Sequence, residues 1–376
     1  MNGLTLLDHI SIIKDPRQKW KVEHTLSDIL FLAVVAVIAG AEGWEEIEDF
    51  GKDKIAWLQK YGDYKNGIPV HDTIARVISM LNPKQFQSCF IAWMNDCHSA
   101  TKGDIIAIDG KTVRGSYDKS KKRGAIHMVS AFCAANEVVI GQVKTAEKSN
   151  EITAIPELLK LLNINGCLVS IDAMGCQKKI ATEILNGNGD YLLAVKGNQK
   201  RLEQAFDDIF DLNDLQNESE NTYGTQEQSH GRLETRLHKV SHDIDALGDI
   251  ALEWPGITTL GYVVSFRQIG NEPSTQPFIR YYISSAKLSA EELAHAAREH
   301  WSIEVKLHWK LDVALREDAC RIRRGDGAEN FSKIRHIALN LLNSDKSFKA
   351  GIQRKQKRAG RSESYLALVL TGQEVS

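Results

Sequence analysis

The sequence predicts an α/β protein in which a mixed sheet follows a helical region. Apolar residues recur at helical spacing over the first hundred positions, and the clearest run is Leu26, Ile29, Leu30, Ala33, Val34 and Ile38. From Gly103 onward this period gives way to short apolar runs that alternate with helical stretches. The change of period marks the point at which a sheet replaces the helices.

The apolar runs after Gly103 predict five strands. They cover residues 104–109, 127–135, 138–145, 167–172 and 191–195. Asn136-Glu137 leaves room only for a tight turn between the second and third runs, which indicates an antiparallel hairpin. A helix from Glu151 to Leu162 precedes the fourth run, and another helix, after Gly175, precedes the fifth. Three strands, a helix, a strand, a helix and a strand form the order of an RNase H-like fold.

The remainder of the chain completes a division into five parts. Strand-like alternation predicts a β-rich insertion, and a capping box at Ser289-Ala290-Glu291-Glu292 starts a helix that we expect to run through Glu304. Gln353 to Ser364 is polar and basic, which is typical of a mobile tail. The predicted parts are a helical N-terminal domain, which is a candidate for DNA binding, at 1–100, the catalytic core at 101–220 and 287–345, the insertion at 221–286 and a basic C-terminal tail at 346–376.

Composition places the chain among globular proteins that stay inside the cell. Of its 376 residues, 43% are hydrophobic and 26% are charged, which is ordinary for folded domains. The apolar run from Ile29 to Ala41 is shorter than the roughly 20 residues that span a bilayer, and the N-terminus carries no export signal. We therefore expect a cytoplasmic protein with no membrane partner. The six cysteines contain no Cys-x-x-Cys pair, which predicts reduced thiols.

Positive charge is concentrated near the C-terminus, although the net charge is only −2. From Trp301 to Arg361 there are 15 lysines and arginines against 7 acids, a local net charge of +8. From Arg201 to Glu220 there are seven acids and one base. A nearly neutral total can therefore accompany a basic surface for a polyanion such as nucleic acid.

Two aspartates end two of the buried runs, Asp109 in Ile-Ala-Ile-Asp and Asp172 in Val-Ser-Ile-Asp. A carboxylate at the end of a buried strand is costly to desolvate unless it is paired or binds a cation. Oxygen ligands suit Mg²⁺, and two such ions about 4 Å apart can promote phosphodiester cleavage. The two aspartates therefore predict a site for two Mg²⁺ ions, with Mn²⁺ as a substitute, that needs a third acid.

A candidate for the third acid lies on the helix after the insertion. One face of this helix carries polar residues four positions apart, namely His300, Glu304, His308 and Asp312. An adjacent apolar stripe, which we expect to pack and thereby to orient Glu304, comprises Trp301, Val305 and Trp309. Glu304 is the preferred ligand, and the rival acids nearby are Asp312, Glu317 and Asp318.

Each of these acids also has an interpretation without a metal. Asp109 precedes Gly110 and can start a turn, Asp172 can cap the following helix, and Glu304 can belong to a solvated helix face. A metal hydrolase that uses His300, Glu304 and His308 is disfavoured because the sequence contains no His-Glu-x-x-His run. The combination of acids, rather than any single one, favours the metal site.

Several motifs resemble those of one family. They are Ile108-Asp109-Gly110-Lys111, Arg114-Gly115-Ser116, Asp172-Ala173-Met174-Gly175-Cys176-Gln177, Asp190-Tyr191-Leu192-Leu193-Ala194-Val195-Lys196-Gly197-Asn198-Gln199, His230-Gly231-Arg232, Tyr282-Ile283-Ser284-Ser285 and His300-Trp301-Ser302-Ile303-Glu304. With these motifs the chain resembles, over nearly its whole length, the H-repeat-associated transposases of Rhs elements. That group is a branch of the insertion-sequence DDE transposases.

The resemblance implies a metal-dependent transposase in which Asp109, Asp172 and Glu304 bind the metal ions. It also implies double-stranded DNA as the partner, as terminal inverted repeats and as target, bound by a homodimer or a higher oligomer. Relatives in the wider group surround the third acid with Tyr-x-x-Arg-x-x-x-Glu and a lysine seven residues on. The corresponding residues here are Ala297, His300 and Leu311, with Arg298 and Lys310 one position away.

All the DNA contacts that we expect are basic residues. They are Lys111, Arg114, Lys196, Arg232, Arg236, Arg298, Lys310, Arg321, Arg323 and Arg324. Contacts of this kind with phosphates set affinity rather than sequence choice. Two alternatives to a transposase stay open: a catalytically inactive DNA-binding relic of a mobile element, and a structure-specific nuclease that cuts without strand transfer.

Overall fold

A computed structural model describes residues 5–97, 102–117, 124–146, 150–210, 221–229, 231–270 and 276–372. These residues belong to two compact units. Unit 1 comprises residues 1–99, 110–148 and 304–376, and unit 2 comprises residues 100–109 and 149–303. His230, which is part of one family-like motif, lies outside the described residues.

Helices and strands alternate along most of the described chain. The α-helices are α1 (Thr5–Ile10), α2 (Leu26–Ile38), α3 (Trp44–Asp53), α4 (Ile55–Leu58), α5 (His71–Met80), α6 (Pro83–Cys97), α7 (Glu151–Leu159), α8 (Lys178–Asn186), α9 (Lys200–Ile209), α10 (Asp249–Leu252), α11 (Ala290–Ile303), α12 (Trp309–Val313), α13 (Gly327–Ser344), α14 (Ile352–Arg361) and α15 (Glu363–Thr371). The strands are β1 (Ile105–Val113), β2 (Ile126–Cys133), β3 (Val138–Lys144), β4 (Leu168–Ile171), β5 (Asp190–Val195), β6 (Thr222–Ser229), β7 (Arg232–Ser241), β8 (Thr259–Ile269) and β9 (Phe278–Ser284). A π-helical turn spans Glu304–His308.

Unit 2 is built on a mixed sheet. Its part of β1 pairs in parallel with β4, and β4 pairs in parallel with β5. The sheet then continues through β9, β8, β7 and β6, and each of these strands is antiparallel to its neighbour. The predicted β-rich insertion therefore extends the core sheet from its β5 edge, because β9 forms hydrogen bonds with β5.

Unit 1 contains the predicted antiparallel hairpin. β2 pairs with β3, and the two residues between Ala135 and Val138 include Glu137 with a positive φ of 55°. The local strand order is β3-β2-β1, and β1 supplies residues to both units. The chain order β1-β2-β3-α7-β4-α8-β5 confirms the predicted α/β fold class with its RNase H-like succession of elements.

Two helices form much of the core of unit 1. α2 is the buried helix that its apolar run predicts, and the Thr25 side chain caps it by accepting a hydrogen bond of 3.0 Å from the backbone N–H of Asp28. Buried residues occupy nearly the whole length of α13. No helix among the described residues is long and apolar enough to cross a membrane.

Asparagine side chains connect α13 to neighbouring backbone. Asn340 is fully buried and forms both hydrogen bonds of Val139 in β3: its Oδ1 accepts from the backbone N–H at 2.9 Å, and its Nδ2 donates to the carbonyl oxygen at 2.8 Å. Asn330 donates to the carbonyls of Ile78 and Leu81 at the end of α5. These side chains satisfy buried peptide groups that would otherwise destabilise the unit.

Two expectations are wrong, and a third is confirmed. β1 does not stop at Asp109 but continues to Val113. The capping box is confirmed by reciprocal hydrogen bonds between Ser289 and Glu292, and the chain stays helical through Glu304 as expected, although Glu304–His308 is a π-helical turn that follows α11. The segment expected to be a mobile tail forms α14 and α15, because its few apolar side chains are buried in unit 1.

We expect Asn340→Leu to lower the free energy of unfolding by roughly 2 to 5 kcal/mol, because it leaves the buried N–H and C=O of Val139 unpaired. Asn95→Leu on the exposed side of α6 is the matched control and should change stability by less than about 0.5 kcal/mol. Urea unfolding followed by circular dichroism measures both variants. Equal stability of the two would show that Asn340 is not needed at the β3 edge.

Candidate metal centre

The two predicted aspartates lie side by side in unit 2. Ile108 of β1 is in register with Ile171 of β4, so the residues that follow, Asp109 and Asp172, occupy neighbouring positions on adjacent parallel strands. Asp172 directly follows β4 and caps a short 3₁₀ turn, with its Oδ1 accepting hydrogen bonds from the backbone N–H groups of Met174 at 3.0 Å and Gly175 at 3.2 Å. The capping interpretation of Asp172 is therefore correct, and both capping bonds use the same oxygen.

Glu151 joins these aspartates, although no motif in the sequence predicted this. One carboxylate oxygen from each of Asp109, Glu151 and Asp172 lies within 4.8 Å of the others. Glu151 is buried at the start of α7, where the Asn150 side chain caps the helix by accepting a hydrogen bond of 3.2 Å from the backbone N–H of Ile152. The only signal in the sequence was an acid directly after a cap residue, which is common at helix starts and carries no information about a metal.

Family-like motifs hold the turn that carries Asp172. The Asn198 side chain donates to the carbonyl oxygen of Ala173 at 2.6 Å, and the Gln199 side chain donates to that of Cys176 at 2.9 Å. A Cβ at Gly175 would lie 2.2 Å from Cγ2 of Ile171, so only glycine fits there. The turn is thereby fixed on both sides, which limits the freedom of the Asp172 carboxylate.

The electrostatics of the carboxylate cluster favour a cation. Burial raises the pKa of Asp172 above its usual value, and the nearby Glu151 raises it further, whereas the hydrogen bonds from Gly175 and Met174 act in the opposite direction. A site made only of carboxylate oxygens suits Mg²⁺ or Mn²⁺. Oxygens on opposite sides of one Mg²⁺ are about 4.2 Å apart, so the three residues fit such an ion with little rearrangement.

Glu304 lies in unit 1, at the start of the π-helical turn. Its side chain is about half exposed, and Oε2 is 3.4 Å from Nδ1 of the buried His308. The π-helical turn changes the spacing of side chains, so the predicted single face of His300, Glu304, His308 and Asp312 is not a regular α-helical face. His300 in unit 2 instead lies 3.1 Å from the Ser170 hydroxyl of β4. π-helical turns inside helices are frequent at functional sites.

The apolar stripe that was expected to orient Glu304 is exposed. Trp301, Val305 and Trp309 are 45%, 65% and 59% exposed, so the prediction that they pack is wrong. The buried side chains of this helical region are instead Ile303, Leu307 and Leu311, which have the same four-residue spacing. The sequence offers two apolar stripes, and the tertiary structure buries the aliphatic one.

Lys111 occupies an ion-pair cluster inside unit 1, which we call the Lys111 cluster. Its Nζ lies 2.7 Å from Asp312, 3.1 Å from Asp318 and 3.3 Å from Glu317. Burial opposes the charge of Lys111, but the three acids outweigh it and hold its pKa above the usual value. Glu317 is almost fully buried and accepts a hydrogen bond from Ser332. The three rival acids are therefore all engaged by one lysine.

Comparisons with known proteins connect these features to a family. Residues 7–94 match the family model described as "DDE_Tnp_1-associated", and residues 100–341 match the one described as "Transposase DDE domain". The "H repeat-associated putative transposase YhhI" of Escherichia coli (strain K12) is 58% identical over 99% of this chain and 99% of its own. The chain belongs to the H-repeat-associated DDE transposases. This confirms the family that the motifs predicted.

Two further similarities have a narrower scope. The protein named "Inactive transposase YbfQ", also of Escherichia coli (strain K12), is 66% identical over 20% of this transposase and 88% of its own length. The piggyBac transposase in a synaptic complex with hairpin DNA has a TM-score of 0.44 and 12% identity, and the match covers 97% of this chain and 77% of that one.

The predicted DNA contacts of the transposase fall into two groups. The exposed group comprises Arg114, Lys196, Arg232, Arg321 and Arg324. Arg321 and Arg324 line an open pocket of about 470 Å³ in unit 1 together with acids of α3. Of this group, Arg114 also lies 3.5 Å from Asp318.

The other predicted contacts are held by partners within the transposase. Besides Lys111, three of them form ion pairs: Arg236 with Glu234 and Glu227, Arg298 with Glu227, and Lys310 with Glu137. Lys310 also donates a hydrogen bond to Asn343. Arg323 donates to the Gly115 carbonyl and lies over the Tyr117 ring. Arg298 and Lys310, which lie one position away from the arginine and lysine of the wider group's pattern, are thus both ion-paired. Each would have to exchange its acidic partner for a phosphate to contact DNA.

We expect Glu151→Gln to weaken Mn²⁺ binding on the order of tenfold or more, because it removes one carboxylate of the cluster. Affinity should fall as the pH is lowered through the raised pKa of Asp172, because protonation competes with the metal. With the charge of residue 151 removed, the pKa of Asp172 drops and this loss should move to lower pH. Isothermal titration with Mn²⁺ across pH measures both effects. The control is Glu157→Gln, an exposed acid on the same helix, and equal affinities of the two variants would exclude Glu151 as a ligand.

We expect Lys111→Met to lower the free energy of unfolding by about 3 to 5 kcal/mol, because it leaves the buried Glu317 without its cation. Arg114→Gln, in the same segment but exposed, should leave stability unchanged and weaken DNA binding. Thermal unfolding and DNA-binding titrations on both variants make the comparison. A stable Lys111→Met protein with reduced DNA affinity would return Lys111 to the DNA contacts.

Proposed function

We propose that this transposase cuts phosphodiester bonds at the ends of its element and joins the released 3′ hydroxyl to target DNA, using two Mg²⁺ ions held by Asp109, Asp172 and Glu304. The observation that carries the proposal is the position of Asp109 and Asp172 on adjacent parallel strands in a chain with a transposase DDE domain. Mn²⁺ would substitute for Mg²⁺, because both take carboxylate oxygens.

The protein's part in this chemistry is to hold carboxylates in fixed positions. When bound, the metal supplies Lewis-acid activation of the attacking oxygen and stabilises the leaving oxygen. Asp109 is fixed by strand pairing, and Asp172 is fixed by the turn that Asn198 and Gln199 hold. Glu151 adds a further carboxylate, so unit 2 supplies three of the oxygen ligands by itself.

The choice of Glu304 as the third ligand rests on its motif and on the ion pairs that the rival acids form with Lys111. His300-Trp301-Ser302-Ile303-Glu304 is one of the motifs by which the chain resembles its family. The rivals Asp312, Glu317 and Asp318 all contact Lys111, and recruiting one of them as a ligand would remove an ion-pair partner of this buried lysine. Glu304 is half exposed and begins a π-helical turn, a feature that is frequent at functional sites.

Double-stranded DNA would be the substrate, as terminal inverted repeats and as target, in the bacterial cytoplasm. A homodimer or a higher oligomer would hold both ends of the element. A structure-specific nuclease on the same fold would cut but would not join ends. An inactive relic would bind DNA only, an alternative suggested by the name of YbfQ, which matches a fifth of this chain.

We expect Asp109→Asn, Asp172→Asn and Glu304→Gln each to abolish Mg²⁺-dependent cleavage, because each removes a metal ligand while the phosphate contacts stay. DNA affinity should stay within about twofold of the unsubstituted protein. The assay uses end-containing DNA with a labelled 3′ end and a target plasmid, so that cleavage and strand transfer are read separately. Asp312→Asn, Glu317→Gln and Asp318→Asn are measured beside them, with folding checked for each.

Each result of this assay has a distinct meaning. Cleavage without transfer by the unsubstituted protein would indicate the nuclease, and binding with neither activity would indicate the relic. Activity in Glu304→Gln together with a folded, inactive variant at one of the three rivals would move the third ligand there. Cleavage at the normal rate in Asp109→Asn or Asp172→Asn would eliminate the proposed centre.

A further inference from the structure

The segment from Lys346 to Arg361 in unit 1 has an unusual charge. It contains seven lysines and arginines and no acid in 16 residues. The structure places most of this segment on α14, which was expected to be part of a mobile tail. A rigid helix presents its charges at fixed positions, whereas a mobile tail does not.

One face of α14 carries four of these cations. Arg354, Lys357, Arg358 and Arg361 are exposed and follow i, i+3, i+4 and i+7 spacing, which places them on one side of a helix. We call them the α14 cationic face. The opposite side of the helix is buried and comprises Ile352, Lys355, Gln356 and Ala359.

The α14 cationic face is not neutralised by neighbouring acids. Among the residues that the structure describes, Arg354, Lys357, Arg358 and Arg361 form no salt bridge, whereas the two acids that flank the helix are already paired. Asp345 lies 3.5 Å from the buried Lys355, and Glu363 lies 3.1 Å from Lys54. The four charges therefore add to one another, in contrast to Lys111 or Lys310, whose charge is balanced inside unit 1.

Contacts inside unit 1 hold this face in place. The Arg358 guanidinium stacks at 4.5 Å over the Phe348 ring and at 4.6 Å over the Tyr365 ring. Lys355 anchors the helix from below by donating to the Leu342 carbonyl at 2.7 Å. Because the arginine is already ordered by the rings, less side-chain entropy is lost when it contacts a ligand.

We propose that the α14 cationic face binds the phosphate backbone of duplex DNA. The choice of duplex DNA as the polyanion rests on the proposed function. The four charges lie along a helix segment of about 10 Å, since each residue rises 1.5 Å, and duplex DNA carries one charge per about 1.7 Å of its axis. The contact is with phosphates and is independent of sequence.

The test uses the full-length transposase and a duplex of unrelated sequence, with binding measured by fluorescence anisotropy over a series of salt concentrations. The variant is Arg354→Gln with Lys357→Gln and Arg361→Gln, which keeps the stacked Arg358. The control is Lys102→Gln with Lys179→Gln and Lys287→Gln, three exposed lysines of unit 2 that form no salt bridge among the described residues. Both variants change the net charge equally.

Log affinity decreases with log salt concentration, and we expect this dependence to become shallower by about 0.9 for each lost phosphate contact. The magnitude of the slope should therefore decrease by roughly two to three in the α14 variant and stay unchanged in the control. If that variant does not fold, Lys357→Gln with Arg361→Gln replaces it, because neither side chain contacts a ring, and the slope should fall by roughly one to two. An unchanged slope overturns the proposal. If the α14 variant keeps the slope of the unsubstituted protein but loses its binding to phosphatidylserine vesicles, the proposal is also overturned, and the face is assigned to a membrane surface. Failure of cleavage with a retained slope difference would overturn the proposed function and leave this surface standing.

Discussion

The in-register pairing of two parallel strands is the constraint on which the candidate metal centre depends. Pairing of Ile108 with Ile171 places Asp109 beside Asp172. A slip of one residue would turn one carboxylate to the opposite face of the sheet, because side chains alternate along a strand. Consecutive residues before each aspartate are buried, so both faces of these strands are covered and burial alone does not select the register. The backbone pairing of β1 with β4 and the fixed turn after Asp172 therefore align the acids.

Bringing these carboxylates together costs free energy, which other interactions of the fold offset. The pKa of Asp172 is raised mainly by burial and also by Glu151, so the ionised cluster is unfavourable without a cation. Strand pairing, the caps at Asn150 and Asp172, and the side chains of Asn198 and Gln199 hold the cluster together against this repulsion. Carboxylates held in this way are already positioned for the cation that we propose.

Charge in unit 1 is organised differently. Some cations of unit 1 form ion pairs with acids of the same unit, and others are exposed to solvent. Lys111, Lys310 and Lys355 stabilise contacts between elements of unit 1. The residues of the α14 cationic face form no salt bridge among the described residues, so their positive charges face outward without a paired acid. A count along the sequence cannot separate these two groups, since the separation depends on which acids fold against them.

The sequence by itself determined the order of the strands, the β2–β3 hairpin, the buried helix α2 and the capping box of α11, because each depends on local spacing or on a single hydrophobic pattern. It also predicted that Asp109 and Asp172 lie together, as the structure shows, since an acid that follows an apolar run is visible without the fold. Only the tertiary structure showed that Glu151 joins them, that Ile303, Leu307 and Leu311 are buried in place of Trp301, Val305 and Trp309, and that Lys111 pairs with three acids more than two hundred positions later. These features depend on contacts between distant segments. Local periodicity specifies that a helix has an apolar stripe, but the surface against which it packs decides which stripe is buried and which charges meet.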